Sequence, residues 1–360
     1  MRDHRVAAAE TSRRQQHVGQ LASQPACGRA QSACAVSFDG VLAVHALAPA
    51  DMAAYLKGEM NDRPTQPFDR DLLRRRRLRA AGSFASADFL LRRAADDIAA
   101  RLDATLRDFP VAVDLSGQGG IMSAQLHELE RVGTVFACED ALPLLAGNPS
   151  ASVVCDEELL PFAPRSLDLV VSALKLQWVN DLPGALAQIA RALKPDGLFI
   201  AALLGGNTLT ELRQSFLAAD AELAGGAPPR VSPFAEIRAC GALLQRAGFA
   251  IPVIDAEPLT VRYADMFALV ADLRAMGATS ALALRHRQPL RRDVLMHAAE
   301  IYAERFADPD GRIRATFDVI HLSGWAPHES QQKPLRPGSA RQRLADALGT
   351  REIPAGEKPR

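Results

Sequence analysis

The sequence lacks several features that would place it in other protein classes. Lys plus Arg equals Asp plus Glu, at 42 each, so no net charge draws the chain to nucleic acid or to an anionic membrane. No apolar run reaches the ~20 residues that a transmembrane helix needs. Neither a Ser-His-Asp elbow motif nor a P-loop lysine motif is present. We therefore expect no nucleic-acid partner and no integral membrane segment, while peripheral contact with a membrane stays open.

The five cysteines form no CxxC pair and show no metal-ligand spacing. Cys138 and Cys155 lie in apolar, strand-like runs, where a thiol behaves as a small hydrophobe. This usage suits a reducing compartment. Among the residue types that bind a non-haem iron, His321, His328 and Glu329 are the group that lies close together in the sequence. We expect these residues to have core or interface roles. The predicted metal content is therefore none.

Composition along the chain predicts four segments. With 48% hydrophobic and 23% charged residues, the chain can bury a large core. The first 59 residues lack helical or strand periodicity, so they are expected to be a disordered extension or to precede a true start at Met60. The other predicted segments are an N-terminal helical segment at 60–109, a main domain at 110–325 with helical inserts at 205–250 and 264–310, and a polar tail at 326–360.

Alternating strands and helices predict an α/β fold. Short apolar runs without strict alternation are typical of parallel strands that are buried on both faces. Their alternation with helical patterns predicts a mostly parallel sheet with helices on both faces. The predicted strands are Val111–Leu115, Thr134–Cys138, Ser152–Cys155, Leu167–Ala173 and Leu198–Leu204, followed by strands near Pro252–Val261 and Thr316–Leu322.

Helix signals complete this pattern. Apolar residues at helical spacing predict a helix over Phe89–Leu106. Asp181 is a good N-cap, with Pro183 in the first turn. Ser232 before proline predicts another helix start, and Gly248 predicts its end. The arginine run at 74–77 is interpreted as a solvated helix face.

A glycine-rich turn follows the first main-domain strand. Asp114 ends that strand, and the next residues are Ser116, Gly117, Gln118 and Gly119. Glycine lacks a Cβ, so such a turn lets the backbone approach a ligand closely. Amide groups at the following helix start then face polar groups of the ligand. We predict that Asp114, Ser116, Gly117 and Gly119 help to bind a cofactor.

Acidic residues end the next two strands. Glu139 ends the second strand, where a carboxylate can accept hydrogen bonds from ribose hydroxyls. Asp156 and Glu157 end the third, where a carboxylate can accept from an adenine amino group. Ligands bind at this edge in open parallel sheets. The predicted cofactor-binding set therefore also contains Glu139, Asp156 and Glu157.

In this order, the motifs resemble those of class I S-adenosylmethionine-dependent methyltransferases. The chain more narrowly resembles the complex I assembly factor 5 family and its α-proteobacterial relatives, from about Pro67 to Ala340. The motifs that carry this narrower resemblance are Pro67-Phe68-Asp69-Arg70, Gln177 to Pro183, Gly205 to Arg213, Ser232-Pro233-Phe234, Leu244 to Phe249 and His328 to Gln331.

The resemblance implies a Rossmann-like class I methyltransferase fold with a mostly parallel seven-stranded sheet and helical insertions. It also implies S-adenosylmethionine as cofactor and hydroxylation of an arginine on a core subunit of respiratory complex I, which would be the partner. The expected location is the bacterial cytoplasm, or the matrix side of the mitochondrial inner membrane in a eukaryote.

Two positions depart from the family pattern. The superfamily turn has glycine where this chain has Ser116 and Gln118. Positive φ at these residues would cost about 1 kcal/mol each, which weakens the cofactor prediction. The alternative is that the loop rearranges around Gly117 and Gly119. Gln177 stands where the family often has histidine, so no catalytic histidine is expected there. The catalytic residues therefore stay unassigned.

Trp178, Gly205, Gly206, Arg213 and His328 are candidates for substrate contact. Trp178 follows a buried strand, so it fits either the core or a pocket wall. Three functional alternatives stay open. They are an enzyme that modifies a protein side chain by methyl transfer or hydroxylation, a non-catalytic complex I assembly factor, and a methyltransferase for a small molecule or an acyl-carrier-bound acid.

Overall fold

The computed structural model describes residues 66–226, 228–286, 288–332, 346 and 348–351, together with the backbone of 34–38 and 41–45. The prediction for residues 1–59 falls largely outside this part of the chain, and so does most of the predicted tail. None of the described helices combines the length and the apolar character that a bilayer crossing requires. Because most of the first and last segments lies outside the described residues, the boundaries of the four segments stay predictions.

Seven strands form the central sheet, as predicted. Their order is β5-β4-β3-β6-β7-β9-β8, so β3 lies inside the sheet between β4 and β6, and β1 and β2 extend the β5 edge. Strands β3 to β7 are parallel, and β9 runs antiparallel to both β7 and β8. The strands are β1 (Cys34–Phe38), β2 (Val41–His45), β3 (Phe109–Asp114), β4 (Val132–Glu139), β5 (Ala151–Val154), β6 (Leu167–Ala173), β7 (Leu193–Leu204), β8 (Ala250–Tyr263) and β9 (Ile313–Trp325).

Helices lie between the strands and in two inserts. Asp181 caps α4 by accepting a hydrogen bond from the Gly184 amide at 2.8 Å, which confirms the predicted start. The helices are α1 (Arg70–Ala80), α2 (Phe89–Asp103), α3 (Ile121–Glu128), α4 (Leu182–Ala192), α5 (Thr210–Leu223), α6 (Ile237–Arg246), α7 (Met266–Ala275) and α8 (Arg292–Phe306).

Two helix boundaries were predicted wrongly. Helix α2 ends at Asp103, and Leu106 is 86% exposed in the loop before β3 instead of extending the apolar face. Helix α6 begins at Ile237 rather than beside Ser232, because Ala235 forms a parallel bridge with Gly205 and keeps the backbone extended. The predicted end is confirmed, since Gly248 has a φ of +91° directly after α6.

The sheet has a core on each face because successive strand residues point to opposite sides. In β3, Val113 packs with one cluster, which includes Phe199 and residues of α4 and α6. Ala112 packs with the other cluster, which includes Ile98 of α2 and Met122 of α3. All five of these side chains are fully buried or nearly so. Strand order reverses at β3, so the carboxyl ends of β3, β4 and β6 border the crevice where such sheets bind ligands.

A third core joins the inserts to the sheet. Residues of α5, α7 and α8 pack with Phe317 of β9, and Tyr302 of α8 is fully buried among them. The Tyr302 hydroxyl donates to the Arg314 carbonyl oxygen at 2.8 Å. The inserts therefore form one side of the space above the crevice.

Helix α1 is fastened to the loop between α7 and α8. The Asp69 amide donates to the Ala281 carbonyl at 2.7 Å, and the Ala283 amide donates to the Pro67 carbonyl at 2.9 Å. The Asp69 carboxylate also pairs with Arg285 at 3.0 Å. These contacts hold α1 over the carboxyl ends of the central strands.

Candidate active site at the carboxyl ends of the central strands

Asp114 organises the turn after β3. Its fully buried carboxylate accepts from the Ser116 amide at 2.8 Å, the Ser116 hydroxyl at 2.6 Å and the Ser123 hydroxyl at 2.7 Å. Burial raises the pKa of Asp114, although the two serines partly oppose the shift. The Ser116 hydroxyl oxygen accepts from the Ala173 amide at 2.9 Å, which ties the turn to β6. Asp114 and Ser116 thus shape the turn.

Ser116 and Gln118 do not adopt positive φ, so of the two alternatives for this turn the structure has the rearranged loop. Positive φ occurs at Gly119, at +70°, and at Gly120, at +66°, both of which tolerate it. Gly117 has a φ of −63°, but a Cβ there would lie 2.8 Å from the Leu145 side chain. The turn is therefore rearranged so that its glycines occupy the positions that require them.

Glu139 is fully buried at the end of β4. Arg77 binds both of its carboxylate oxygens, with Nη2–Oε1 at 2.6 Å and Nη1–Oε2 at 2.8 Å. The Lys175 ammonium group donates to Oε2 at 2.5 Å, and the backbone amide of Gln118 donates to Oε1 at 3.2 Å. Burial acts to raise the pKa of Glu139, but Arg77 and Lys175 outweigh it and lower the pKa to about 2.

Glu157 and Asp156 continue this network after β5. Glu157 is 2% exposed and pairs with Lys175 at 2.8 Å and with Arg70. Asp156 pairs with Arg70 at 2.5 Å, but its side chain is 45% exposed. Burial and the charge of Arg77 act to lower the pKa of Lys175, and Glu139 and Glu157 outweigh them. The three predicted acids therefore do lie together, and each is already paired with a cation.

Arg77 is the main departure from the sequence interpretation. Within the arginine run expected to be solvated, Arg77 is only 7% exposed and points into the crevice. Its Nε and Nη2 donate to the Gln118 side-chain oxygen at 3.0 and 2.7 Å. Because a guanidinium group can only donate, these bonds require the oxygen of the Gln118 side-chain amide, and not its nitrogen, to face Arg77. Gln118 Nε2 is then left buried without a partner among the described residues.

A small cavity of about 90 Å³ lies beside this network. Arg77, Gln118, Glu139, Lys175 and Trp178 line it. Cofactor-sized ligands usually occupy about 300–1,000 Å³. The Phe84 ring also lies against the turn, 3.3 Å from where a Cβ of Gly119 would be. With Glu139 bound by Arg77 as well, an adenosyl cofactor does not fit the crevice in this conformation.

A larger cavity of about 660 Å³ opens next to the small one. Apolar side chains of α5, α7 and β9 line much of it, among them Leu212, Phe216 and Phe317. None of its described lining residues is acidic. The charged or titratable lining residues are Arg76, Arg230, Arg274, Arg285 and His286.

Trp178 lines both cavities and also packs in a buried cluster with Phe68 and Leu282, so it is placed both in the core and at a pocket wall, and its contact with substrate stays a prediction. Arg213 donates to the carbonyl oxygens of Gly206 and Thr208, so it stabilises the turn after β7. A Cβ on Gly205 would lie 2.8 Å from Ile320, so close packing explains this glycine. Neither cavity is lined by Arg213, Gly205 or Gly206, and their substrate contact stays a prediction.

The histidines lie elsewhere. His328 is exposed and hydrogen-bonds Ser330 at 2.7 Å. His321 is 2% exposed, and burial lowers its pKa. Its nearest carboxylates belong to Asp97 and Glu257, both of which already pair with Arg93. His321 is therefore buried in the core, which is one of the two roles expected for this group, whereas His328 lies at the surface.

Arg70, Arg77, Lys175 and Gln118 are site residues that sequence reasoning did not identify. Arg70 belongs to the family-like motif at 67–70, and Lys175 lies two residues after the end of β6. Lys175 follows one parallel strand, and Glu139 and Glu157 lie at the ends of two others. Since these ends share one edge of the sheet, the sequence could have predicted that Lys175 pairs with the two acids. Arg77 gave no comparable signal, because three neighbouring arginines resemble it in sequence.

Comparison with known proteins identifies the family. Residues 113–201 match the family model described as a methyltransferase domain. Arginine-hydroxylase NDUFAF5, mitochondrial, of Mus musculus is 39% identical over 309 residues, which are 84% of this chain and 89% of that protein. Malonyl-[acyl-carrier protein] O-methyltransferase of Xylella fastidiosa strain M23 is 34% identical over 269 residues, 72% of this chain and 89% of that protein.

Among solved structures, the YcgJ protein of Bacillus subtilis has a TM-score of 0.46 at 14% identity and covers 65% of this chain and 98% of its own. The sequence relatives, the matched domain and the observed strand order agree with one another. The chain belongs to the class I S-adenosylmethionine-dependent methyltransferase superfamily, in the family that contains arginine-hydroxylase NDUFAF5.

Proposed function

We propose that this protein modifies an arginine side chain of a respiratory complex I core subunit during assembly, with hydroxylation as the reaction. One observation carries the proposal: the buried Glu139 carboxylate at the predicted active-site edge binds a guanidinium group with both oxygens. Such paired hydrogen bonds match the planar geometry of arginine. The arginine-hydroxylase relatives support the same substrate type.

The charge around the crevice also favours a cationic substrate group. Three cations, Arg70, Arg77 and Lys175, face a larger number of carboxylates in the network. The excess of carboxylates gives the crevice a negative field, which attracts a cationic side chain. The paired carboxylates of this network are Glu139, Asp140, Asp156, Glu157 and Glu158.

In this proposal the residues of the crevice bind and orient the substrate. Glu139 stays ionised at neutral pH because its pKa is about 2, so it holds a guanidinium group without accepting its proton. Lys175 keeps Glu139 and Glu157 in place. Hydroxylation converts a C–H bond into C–OH. With molecular oxygen as the oxidant, one oxygen atom enters the product and the other leaves as water, which takes two electrons and two protons from a reductant. The carboxylate, amide and ammonium groups of the crevice bind and orient the substrate, and the oxygen and the reductant would come from outside this set.

Peptide masses of the complex I core subunit test this function. In cells with the gene, we expect one arginine peptide to be heavier by one oxygen atom than in cells from which the gene is deleted. Restoring the gene with Glu139→Gln should leave that peptide unmodified, whereas restoring it with the exposed Glu128→Gln should return the oxygen. Identical arginine peptides in the parent and deletion strains would contradict the proposal.

A second candidate is methyl transfer to an acyl-carrier-bound acid. The larger cavity favours it, because apolar walls suit an acyl chain and a basic rim suits an anionic group. The malonyl-[acyl-carrier protein] relative is named for such a reaction. This candidate requires S-adenosylmethionine at the crevice, and therefore requires Arg77 to leave Glu139.

Melting temperatures with S-adenosylmethionine separate the two candidates. Because Arg77 holds Glu139, we expect the cofactor to leave the melting temperature of the wild-type protein unchanged. The double variant Glu139→Ala with Asp156→Ala is the control, since it removes the carboxylates predicted to bind ribose and adenine. A rise in the wild-type melting temperature that the double variant loses would place the cofactor at the crevice and favour methyl transfer.

A further inference from the structure

The geometry points to a guanidinium-binding site in the small cavity between α1 and the carboxyl ends of β3, β4 and β6, in which Arg77 takes the place of the substrate. The inference rests on the proposed function and adds to it. The arginine side chain of the substrate displaces Arg77 from Glu139 and Gln118. Arg77 is thus an internal competitor of the substrate.

The contacts of Arg77 are those of a bound arginine side chain. Glu139 accepts from both terminal nitrogens, and Gln118 accepts from Nε and Nη2. Asp140 lies 3.4 Å from Nη1. Hydrogen bonds from all three nitrogens to two side chains distinguish a guanidinium group from an ammonium group, which is a compact point charge. The site is therefore selective for arginine over lysine.

Two side-chain amides that line the small cavity each have one atom without a hydrogen-bond partner among the described residues. Gln118 is 6% exposed, and its Nε2 is buried without a hydrogen-bond acceptor among the described residues. Gln177 Oε1 is also buried without a donor, while its Nε2 donates to the Leu174 carbonyl at 2.8 Å. Both glutamines line the small cavity. Unmade hydrogen bonds at buried groups are costly. The Gln177 oxygen suits a further N–H of a bound guanidinium group. The Gln118 nitrogen needs an acceptor, which a guanidinium group does not offer and the backbone carbonyl oxygens of a substrate peptide do.

The neighbouring larger cavity cannot serve the arginine side chain itself. Its charged lining residues are basic, and Arg76 and Arg274 have no carboxylate partner among the described residues. Burial is the main cause that lowers the pKa of Arg76, and the positive charges of Arg285 and Arg79 lower it further. A cationic side chain is therefore directed to Glu139, and the larger cavity suits apolar or acidic residues beside the target arginine.

An ordinary structural ion pair would have the same contacts but would not exchange with a ligand. Ligand binding to Arg77→Ala separates the two cases. The probes are N-acetyl-L-arginine methylamide and its lysine counterpart, added to the full-length variant. Trp178 lines the cavity, so its fluorescence reports occupancy along with the melting temperature.

We expect the arginine amide to raise the melting temperature of Arg77→Ala with saturation and to change its fluorescence, and the lysine amide to do neither. The wild-type protein should bind the arginine amide at least about tenfold more weakly, because Arg77 must first leave. Arg74→Ala, which changes an exposed arginine of the same helix, should behave like the wild type. Adding Glu139→Gln to Arg77→Ala should abolish binding.

Equal binding of both amides, or wild-type binding as tight as that of Arg77→Ala, would overturn the inference. If Arg77→Ala does not fold, Arg77→Lys keeps the charge and loses the paired bonds, and the same comparison applies. These measurements need no turnover. Selective binding with an unmodified core-subunit peptide would overturn the proposed function alone, whereas a modified peptide without selective binding would overturn this inference alone.

Discussion

Glu139→Gln is expected to lower the free energy of unfolding by about 3–5 kcal/mol, the usual loss when one partner of a buried ion pair is removed. Glutamine has nearly the shape of glutamate, so packing is kept and the charge is lost. Arg77 and Lys175 are then left facing each other in a buried site. Urea unfolding at neutral pH measures the loss.

Two comparisons make this result specific. Glu128→Gln makes the same change at an exposed position of α3 and should stay within about 0.5 kcal/mol of the wild type. Combining Glu139→Gln with Arg77→Met should cost less than the sum of the single losses, because the second change removes the unpaired cation. A loss below about 1 kcal/mol for Glu139→Gln would show that α1 does not cover the crevice in solution.

Lowering the pH is expected to remove, in the wild-type protein, the stabilisation that ionised Glu139 provides through Arg77 and Lys175. The pKa of Glu139 is about 2 in the folded protein, against an ordinary value of 4.5. A lowered folded-state pKa stabilises the protein above the unfolded-state value, and this contribution is lost as the pH falls from about 4.5 through 2. At about 1.4 kcal/mol per pKa unit, the contribution is roughly 3 kcal/mol.

The pH dependence of the difference between wild type and Glu139→Gln tests this prediction. Other carboxylates with lowered pKa, such as Asp69 and Asp310, are present in both proteins and cancel in the difference. Arg77 and Lys175 stay charged throughout this range, because the pKa of each is raised in the folded protein. The difference in unfolding free energy should shrink between pH 6 and pH 2.5. A constant difference would mean that Glu139 is not responsible.

The sequence made the sheet predictable because its strands are unusually apolar. Leu167–Ala173 was predicted with its observed bounds, since a strand buried on both faces must be a short apolar run. Helix ends were less predictable, since tertiary contacts decide them. Ser232 has the right chemistry for an N-cap, but the bridge between Ala235 and Gly205 keeps that segment extended.

At the site, the acids were predictable and their partners were not. Glu139 and Glu157 follow directly from the positions where strands end. Arg77 becomes a site residue only because α1 lies across those ends, and that placement depends on contacts between residues about 200 positions apart, such as Asp69 with Ala281. No local pattern in an arginine run distinguishes the buried member from the three others.

The fastening of α1 to the loop after α7 also affects the kinetics of ligand entry. Asp69, Ala281 and Ala283 connect the two segments by backbone hydrogen bonds, so α1 cannot release Arg77 without loosening that loop. Entry would then follow a shared opening event, and the observed association rate would level off at high ligand concentration instead of rising linearly. Amide hydrogens of residues 68–80 and 278–285 would exchange with solvent together, at the rate set by that opening.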